Sequence, residues 1–308
     1  MPRDLHELPK LSDSISYLYI ERAVIEQSAL SVEAIRADGR IPIPAAALTV
    51  LFLGPGTSIT HAAVKALADN GCMVIWCGEG VSRFYASGMG ETRSAVNLIR
   101  QAKLCMDEDA HMQVVRRMYE RRFPDIKCEN LSLQQIRGME GIRVRQAYKL
   151  WSKTAGVMWK GRDYKNNEWD SADPINRALS AANSVLYGIC QAAIVSLGYS
   201  PGLGFIHTGK QLSFVYDIAD LYKADITIPA AFETVALNSP DPEREVRIKV
   251  RLYLKRQNVL KRIPEDLNWI FSYKDEEDVN QVLPGDLWDD QVDHIEGGVN
   301  HAKGFLEP

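Results

Sequence analysis

Several things that would mark a secreted, membrane-bound or nucleotide-driven protein are scarce or missing. The 308 residues include five cysteines, Cys72, Cys77, Cys105, Cys128 and Cys190, an odd number with no Cys-x-x-Cys spacing. That argues against a zinc knuckle and for reduced thiols in a cytoplasmic protein. The chain opens Met-Pro-Arg-Asp-Leu-His-Glu, without a basic start leading into an apolar run, so no secretory signal is expected. The apolar stretch Ile41 to Gly54 contains Pro42 and Pro44 and is too short to span a bilayer. No Gly-x-x-x-x-Gly-Lys-Ser/Thr motif is visible, so nothing indicates a nucleotide energy source. No internal repeat is present.

Hydrophobic residues make up 46% of the chain, enough for a sizeable core and two domains. The net charge of −4 hides an asymmetry. From Pro264 to Pro308 there are twelve Asp or Glu and two Lys, while the preceding 263 residues carry +6. A cationic body suggests a polyanionic partner, although an ordinary mixed surface has a similar balance.

Residues 1–90 read as a β-rich domain. Ile15 to Glu21, Ala23 to Gln27, Leu30 to Ile35, Leu48 to Leu53, Met73 to Cys77 and Arg83 to Ala86 have strand character. Asp38-Gly39 marks a hairpin turn, and Thr60 caps a helix to Asn70. Gly88 to Arg93 is the candidate linker. Residues 91–263 read as helical, with a long helix from Leu133 to Thr154, another from Pro174 to about Ser200, a short one beginning near Pro229 and a last one from Glu243 to Arg262. Residues 264–308 read as an acidic, flexible tail. The expected class is α+β, a β-sandwich-like domain followed by an all-α domain.

The chemistry concentrates between Pro201 and Leu221. A loop rich in Gly and Pro delivers His207, followed by Thr208, Gly209 and Lys210. From Leu212 the pattern is helical, and Asp217 and Asp220, three apart, project from one face. Such a pair is often a solvated helix face. Here Phe214, Val215, Ile218 and Leu221 crowd it, and a carboxylate in apolar surroundings must be paired or bind a cation.

Within the long helix, Arg137-Gly138-Met139-Glu140-Gly141 keeps two glycines, each costing about 1 kcal/mol relative to alanine. That cost points to a close approach by another backbone or a ligand, unless Arg137 and Glu140 merely form a surface pair. If Glu140 faces the His207 loop, the site holds Glu, His and Asp, a set that suits Mg²⁺ or Mn²⁺ better than zinc. Arg137 to Lys165 contains eight Lys or Arg, interleaved with Tyr148, Trp151, Trp159 and Tyr164 and followed by Trp169. Trp151 reads as core, while Trp159, Tyr164 and Trp169 read as platforms for unpaired bases. Arg244 to Arg262 holds eight basic residues and one Glu, a candidate phosphate rail.

These motifs resemble a known family. Gly204 to Lys210 with Leu212 to Leu221, the Arg-Gly-Met-Glu-Gly stretch, Pro55 to Ala63 and Arg83 to Gly88 are together similar to the CRISPR-associated integrase that inserts new spacers, in its type I-E form. The similarity runs from about residue 13 to about residue 262. It implies a homodimer joined through the N-terminal domain and a complex with the small ferredoxin-like CRISPR adaptation protein. It further implies Glu140, His207 and Asp220 as metal ligands, with Asp217 a close acidic neighbour needed for activity. Arg83, Arg137, Tyr164, Trp169, Tyr187, Lys223, Arg244 and Arg247 fall where the family contacts DNA or supports the site. Ser58 and His111 stand where enterobacterial members carry Arg, which puts some phosphate contacts in doubt.

The resemblance implies joining of the 3′-hydroxyl ends of prespacer DNA, frayed or single-stranded at those ends, into a CRISPR repeat by transesterification. A metal-dependent hydrolytic nuclease and a non-catalytic DNA-binding scaffold are the alternatives.

Overall fold

The computed structural model describes residues 17–28, 31–90, 95–125, 127–128, 131–162, 173–272, 287–289 and 293–295. Two four-stranded sheets build the N-terminal part. The first has the order β1 (Tyr17–Ile20), β5 (Val50–Leu53), β7 (Met73–Cys77), β8 (Phe84–Gly88); the second has the order β4 (Gly39–Ile43), β3 (Ser31–Arg36), β2 (Val24–Ser28), β6 (Ser58–Ile59). In the first sheet β1, β5 and β7 run parallel and β8 antiparallel. Helix α1 (His61–Asp69) packs on β2, β3 and β7, and the Thr60 side chain accepts from the Ala63 amide at its start. The sandwich-like expectation holds. The hairpin differs by one residue: Arg36 pairs with Gly39, so Ala37 and Asp38 form the turn, and Gly39 takes the positive φ. Pro42 is tolerated in β4 because β4 is an edge strand.

The apolar run in β5 divides by strand alternation. Leu51 and Leu53 join Ile25, Val32, Ala63 and Leu67 in the N-terminal core, while Val50 and Phe52 face the helical body with Met73, Ile75 and Cys77. The first sheet is therefore a wall shared by both parts. The helix α5 (Pro174–Ser196) reaches this wall, and Gly188 makes that possible, since a Cβ there would lie 2.6 Å from the Val81 carbonyl oxygen.

The helical part contains α2 (Val96–Met106), α3 (Glu108–Arg122), α4 (Leu133–Ala155), α5, α6 (Ser213–Asp220), α7 (Thr227–Ala236), α8 (Pro242–Arg256) and α9 (Val259–Phe271). Ser132 and Gln135 form a capping box at the start of α4, and Gly156 in the left-handed region ends it. Helix α5 is the longer apolar stretch, with a mean hydropathy of 1.5 over a membrane-length window that is 67% buried. Its apolar faces are covered by α6, α7, α8 and α9, which makes it the core of the helical part. Farther along the chain, β9 (Leu287–Asp289) and β10 (Asp293–Ile295) pair antiparallel.

The last basic helix departs from expectation. It breaks at Gln257 and Asn258, and α9 then continues through Pro264 to Phe271. Residues 264–271, read from the sequence as the start of the tail, are thus structured. A proline inside a helix costs about 3 kcal/mol. Burial of Ile263, Leu267, Ile270 and Phe271 outweighs it, at about 1.5–3 kcal/mol for each side chain.

Candidate active site

The turn from α5 into α6 carries His207 and is held from three directions. From within, the Asp217 carboxylate is buried at 1% exposure and accepts the backbone amides of Phe205, Ile206 and His207 at 2.6, 3.1 and 2.9 Å. From α2, the buried Gln101 amide donates to the carbonyls of Ser200 and Leu203 and accepts the Ser200 amide. From α3, the ring nitrogens of His111 lie 3.1 Å from the Cys105 carbonyl and 2.8 Å from the Phe205 carbonyl. Gly204 allows the tight fold, since any Cβ there would overlap the His207 carbonyl. Beneath the loop, Phe205 and Phe214 pack on Phe271 of α9, and the Arg100 side chain donates to the Phe271 carbonyl.

His207 Nδ1 lies 2.7 Å from Asp217 Oδ1. The bond to that carboxylate raises the imidazole pKa above its ordinary value, against the opposing effect of burial, with Asp220 adding to the rise. With its Nδ1 proton donated to Asp217, the neutral ring keeps its lone pair on Nε2. One helical turn after Asp217, Asp220 meets two cations: Lys223 Nζ at 2.5 Å from Oδ1 and Arg122 Nη1 at 3.8 Å from Oδ2. The same Arg122 Nη1 forms a short bond to Glu140 Oε1, and the Tyr119 hydroxyl donates to Glu140 Oε2 at 3.0 Å. Burial and the adjacent Glu140 push the Tyr119 hydroxyl pKa upward. Lys223 also lies 5.0 Å from the centre of the Tyr187 ring. Burial pulls its pKa down, but Asp220 and the Tyr187 hydroxyl more than compensate and hold it above the ordinary lysine value. Tyr187 packs edge-on against Tyr216, which packs edge-on against His207.

Of the residues expected from the sequence, Glu140, His207, Asp217, Asp220, Tyr187 and Lys223 are therefore linked by one continuous set of contacts. Arg137 lies exposed one turn before Glu140 and acts electrostatically on Tyr119. Arg83 is exposed, and its backbone lies against Gly188, next to Tyr187. Arg244 is exposed at the start of α8, and Arg247 faces Glu243 at 3.8 Å; among the described contacts neither touches the acidic site. Tyr164 and Trp169 lie outside the described residues.

Three local readings change. Trp159 stacks on Tyr148 with ring centres 4.4 Å apart and also meets Phe232, so it is part of the core rather than a free platform. Among the described residues, Gly138 has nothing within 4 Å of where a Cβ would sit, and Gly141 meets only the Arg145 side chain, so none of their backbones approaches these glycines. His111 clamps the site loop, while Ser58 is exposed on β6.

Arg122, Tyr119, Gln101 and Asp266 were not legible as site residues. Asp266 of α9 is buried, bonds Arg121 at 2.6 Å and accepts a short bond from the Tyr222 hydroxyl, so it fixes the end of α3 beside the acidic pair. Burial, then Asp266, raises the Tyr222 pKa well above its ordinary value. Each of these contacts joins residues far apart in the chain, and a single sequence carries no local signal for them.

Two carboxylates and an imidazole whose Nε2 carries a lone pair are donors suited to a hard divalent cation. Among the described residues, no three His, Cys, Asp or Glu side chains yet converge closely enough to hold one. Arg122 stands between Glu140 and Asp220 instead.

The family described as CRISPR associated protein Cas1 matches residues 121–263. The CRISPR-associated endonuclease Cas1 2 of Thermus thermophilus is 53% identical, across 99% of this chain and 97% of the relative. The Escherichia coli CRISPR-associated endonuclease Cas1 is 42% identical, across 84% of this chain and 86% of the relative. The crystal structure of the TtCas1–DNA complex is 56% identical with a TM-score of 0.80, covering 86% of this chain and 99% of that one. A casposase bound to an integration product, at 15% identity and a TM-score of 0.57, shares the fold. With relatives this similar over nearly their whole length, the chain belongs to the CRISPR associated protein Cas1 family.

Proposed function

We propose that this chain is a metal-dependent DNA endonuclease and integrase of CRISPR adaptation. It joins the 3′-hydroxyl ends of prespacer DNA into the repeat of a CRISPR array. The observation that carries the reading is the meeting of Glu140 and Asp220 at one Arg122 nitrogen, beside an imidazole oriented by Asp217. Relatives named as CRISPR-associated endonucleases, and one solved with DNA, support the substrate class.

Glu140, His207 and Asp220 would hold Mg²⁺ or Mn²⁺. Bound there, such an ion would supply positive charge for the phosphate oxygens and for an ionising hydroxyl. Asp217 fixes the His207 tautomer and so leaves the lone pair on Nε2. Lys223, held charged by Asp220 and Tyr187, supplies a fixed cation for the scissile phosphate. Arg83, Arg137, Arg244 and Arg247 serve as phosphate contacts, and Tyr164 and Trp169 as further DNA contacts. The attacking 3′-oxygen forms one P–O bond while the bond to the neighbouring 3′-oxygen breaks, and that oxygen leaves as a new 3′-hydroxyl. The exchange is close to balanced in energy and needs no nucleotide.

The protein works in the cytoplasm, where its five free thiols remain reduced. It acts as a homodimer joined through the N-terminal sheets, with the small ferredoxin-like adaptation protein as partner. Hydrolysis at the same site is the second reading, favoured by the relatives' endonuclease names. Product analysis on a plasmid carrying a repeat separates the two: joined strands indicate integration, and shortened strands alone indicate hydrolysis. DNA binding that survives Asp220→Ala with full function would leave a scaffold.

A further inference from the structure

All four oxygens of the Glu140 and Asp220 carboxylates are engaged by Arg122, Tyr119 and Lys223. Two negative charges thus face two positive ones. Even with the neighbouring Asp217 carboxylate counted, a divalent cation added to this set would leave the partly buried site with an uncompensated positive charge, which burial makes unfavourable.

The two cations are not equivalent. Lys223 is fixed against both Asp220 and the Tyr187 ring. Arg122 is the one that meets both carboxylates and stands between them. Its side chain is 9% exposed, its Nε is buried without a hydrogen-bond partner among the described residues, and its guanidinium lies 5.1 Å from the centre of the Phe123 ring. It also lines a cavity of about 210 Å³, shared with Phe123, Arg143, Gln146 and Ala147, into which a long side chain can turn.

We propose that Arg122 is a displaceable counter-ion, which neutralises the Glu140–Asp220 pair in the metal-free protein and yields its place when a divalent cation and a DNA phosphate enter together. The inference rests on the reading of Glu140 and Asp220 as cation ligands. Displaced from the carboxylates, the guanidinium turns to the incoming phosphate, whose negative charge restores the balance. Cation and DNA therefore assist each other's binding, and the coupling is reciprocal. The protein does not arm its nuclease centre until a phosphodiester is present.

The test is a titration of the full chain with Mn²⁺, following free Mn²⁺ by its electron paramagnetic resonance signal, with and without a short duplex bearing 3′ overhangs. In the unaltered protein the duplex should tighten Mn²⁺ binding about tenfold or more. Arg122→Gln should bind Mn²⁺ about tenfold more tightly without DNA, and most of the gain from DNA should vanish. Arg122→Lys, which keeps the charge, should behave like the unaltered protein. Equal or weaker Mn²⁺ binding by a folded Arg122→Gln would overturn the proposal. So would the lack of any DNA effect in the unaltered chain, a result that stands even if the Gln variant does not fold. Asp220→Asn tests the underlying reading separately: if it leaves Mn²⁺ binding unchanged, the ligand assignment itself falls.

Discussion

Asp217 holds His207 twice, accepting its backbone amide at 2.9 Å and its ring Nδ1 at 2.7 Å through the same carboxylate oxygen. Asp217 is therefore the organiser of the loop as much as a charge in the site. Asp217→Ala strands three backbone amides and should destabilise the protein by about 3 kcal/mol or more. Urea denaturation checks this. A loss below 1 kcal/mol would mean that the loop keeps its shape without the carboxylate.

The same bond sets a pH dependence. Because the folded-state pKa of His207 is raised, protonation of the ring stabilises the fold. That contribution is full below the ordinary histidine value of about 6.5 and is lost as the pH climbs through the higher folded value. Cation binding runs the other way, since a ligating imidazole must be neutral. In chelator-treated protein, the His207 ring resonance should titrate above the ordinary value, and Asp217→Asn should bring it down. Metal-dependent activity should fall as the pH drops through that midpoint.

Phe271 and Asp266 support the site from the far end of the chain. Phe271→Ala opens a cavity beneath Phe205 and Phe214 and should cost about 3–5 kcal/mol. Asp266→Ala leaves the buried Tyr222 hydroxyl without its partner, while the exposed Arg121 can turn to water, and should cost about 1–3 kcal/mol. Thermal denaturation of both variants checks these values. A change within experimental error would show that α9 is not part of the cooperative unit.

Gln101 gives an independent check on the loop. Gln101→Leu preserves volume and removes all three bonds to Ser200 and Leu203. The variant should stay folded but lose about 2–4 kcal/mol. Its amide exchange should quicken across residues 200–207, while exchange in the N-terminal sheets stays slow.

The parts legible in the sequence were those written locally. Apolar alternation marks β5, Thr60 marks the start of α1, and the three-residue spacing of Asp217 and Asp220 places them together at the end of α6. What stayed hidden depends on distance or on competition. Arg122 meets Glu140 across 18 positions, and Asp266 meets Arg121 across 145. Pro264 and the surrounding acidic residues read as a break, but the apolar spacing of Val259, Ile263, Leu267 and Ile270 prevails because those side chains complete the helical core. Trp159 lies in a polar connection and reads as a base platform; its place in the core depends on Tyr148 and Phe232, neither of them a sequence neighbour.

The most direct measurement is a strand-transfer assay. The purified protein, with and without the small adaptation partner, is given a short duplex with free 3′-hydroxyls and a supercoiled plasmid carrying a CRISPR repeat, in Mg²⁺, Mn²⁺ or chelator. The account predicts covalent joining at the repeat edge that requires the cation and is abolished by Glu140→Ala, His207→Ala and Asp220→Ala. Joining that persists in chelator, or in any of these variants, would contradict it.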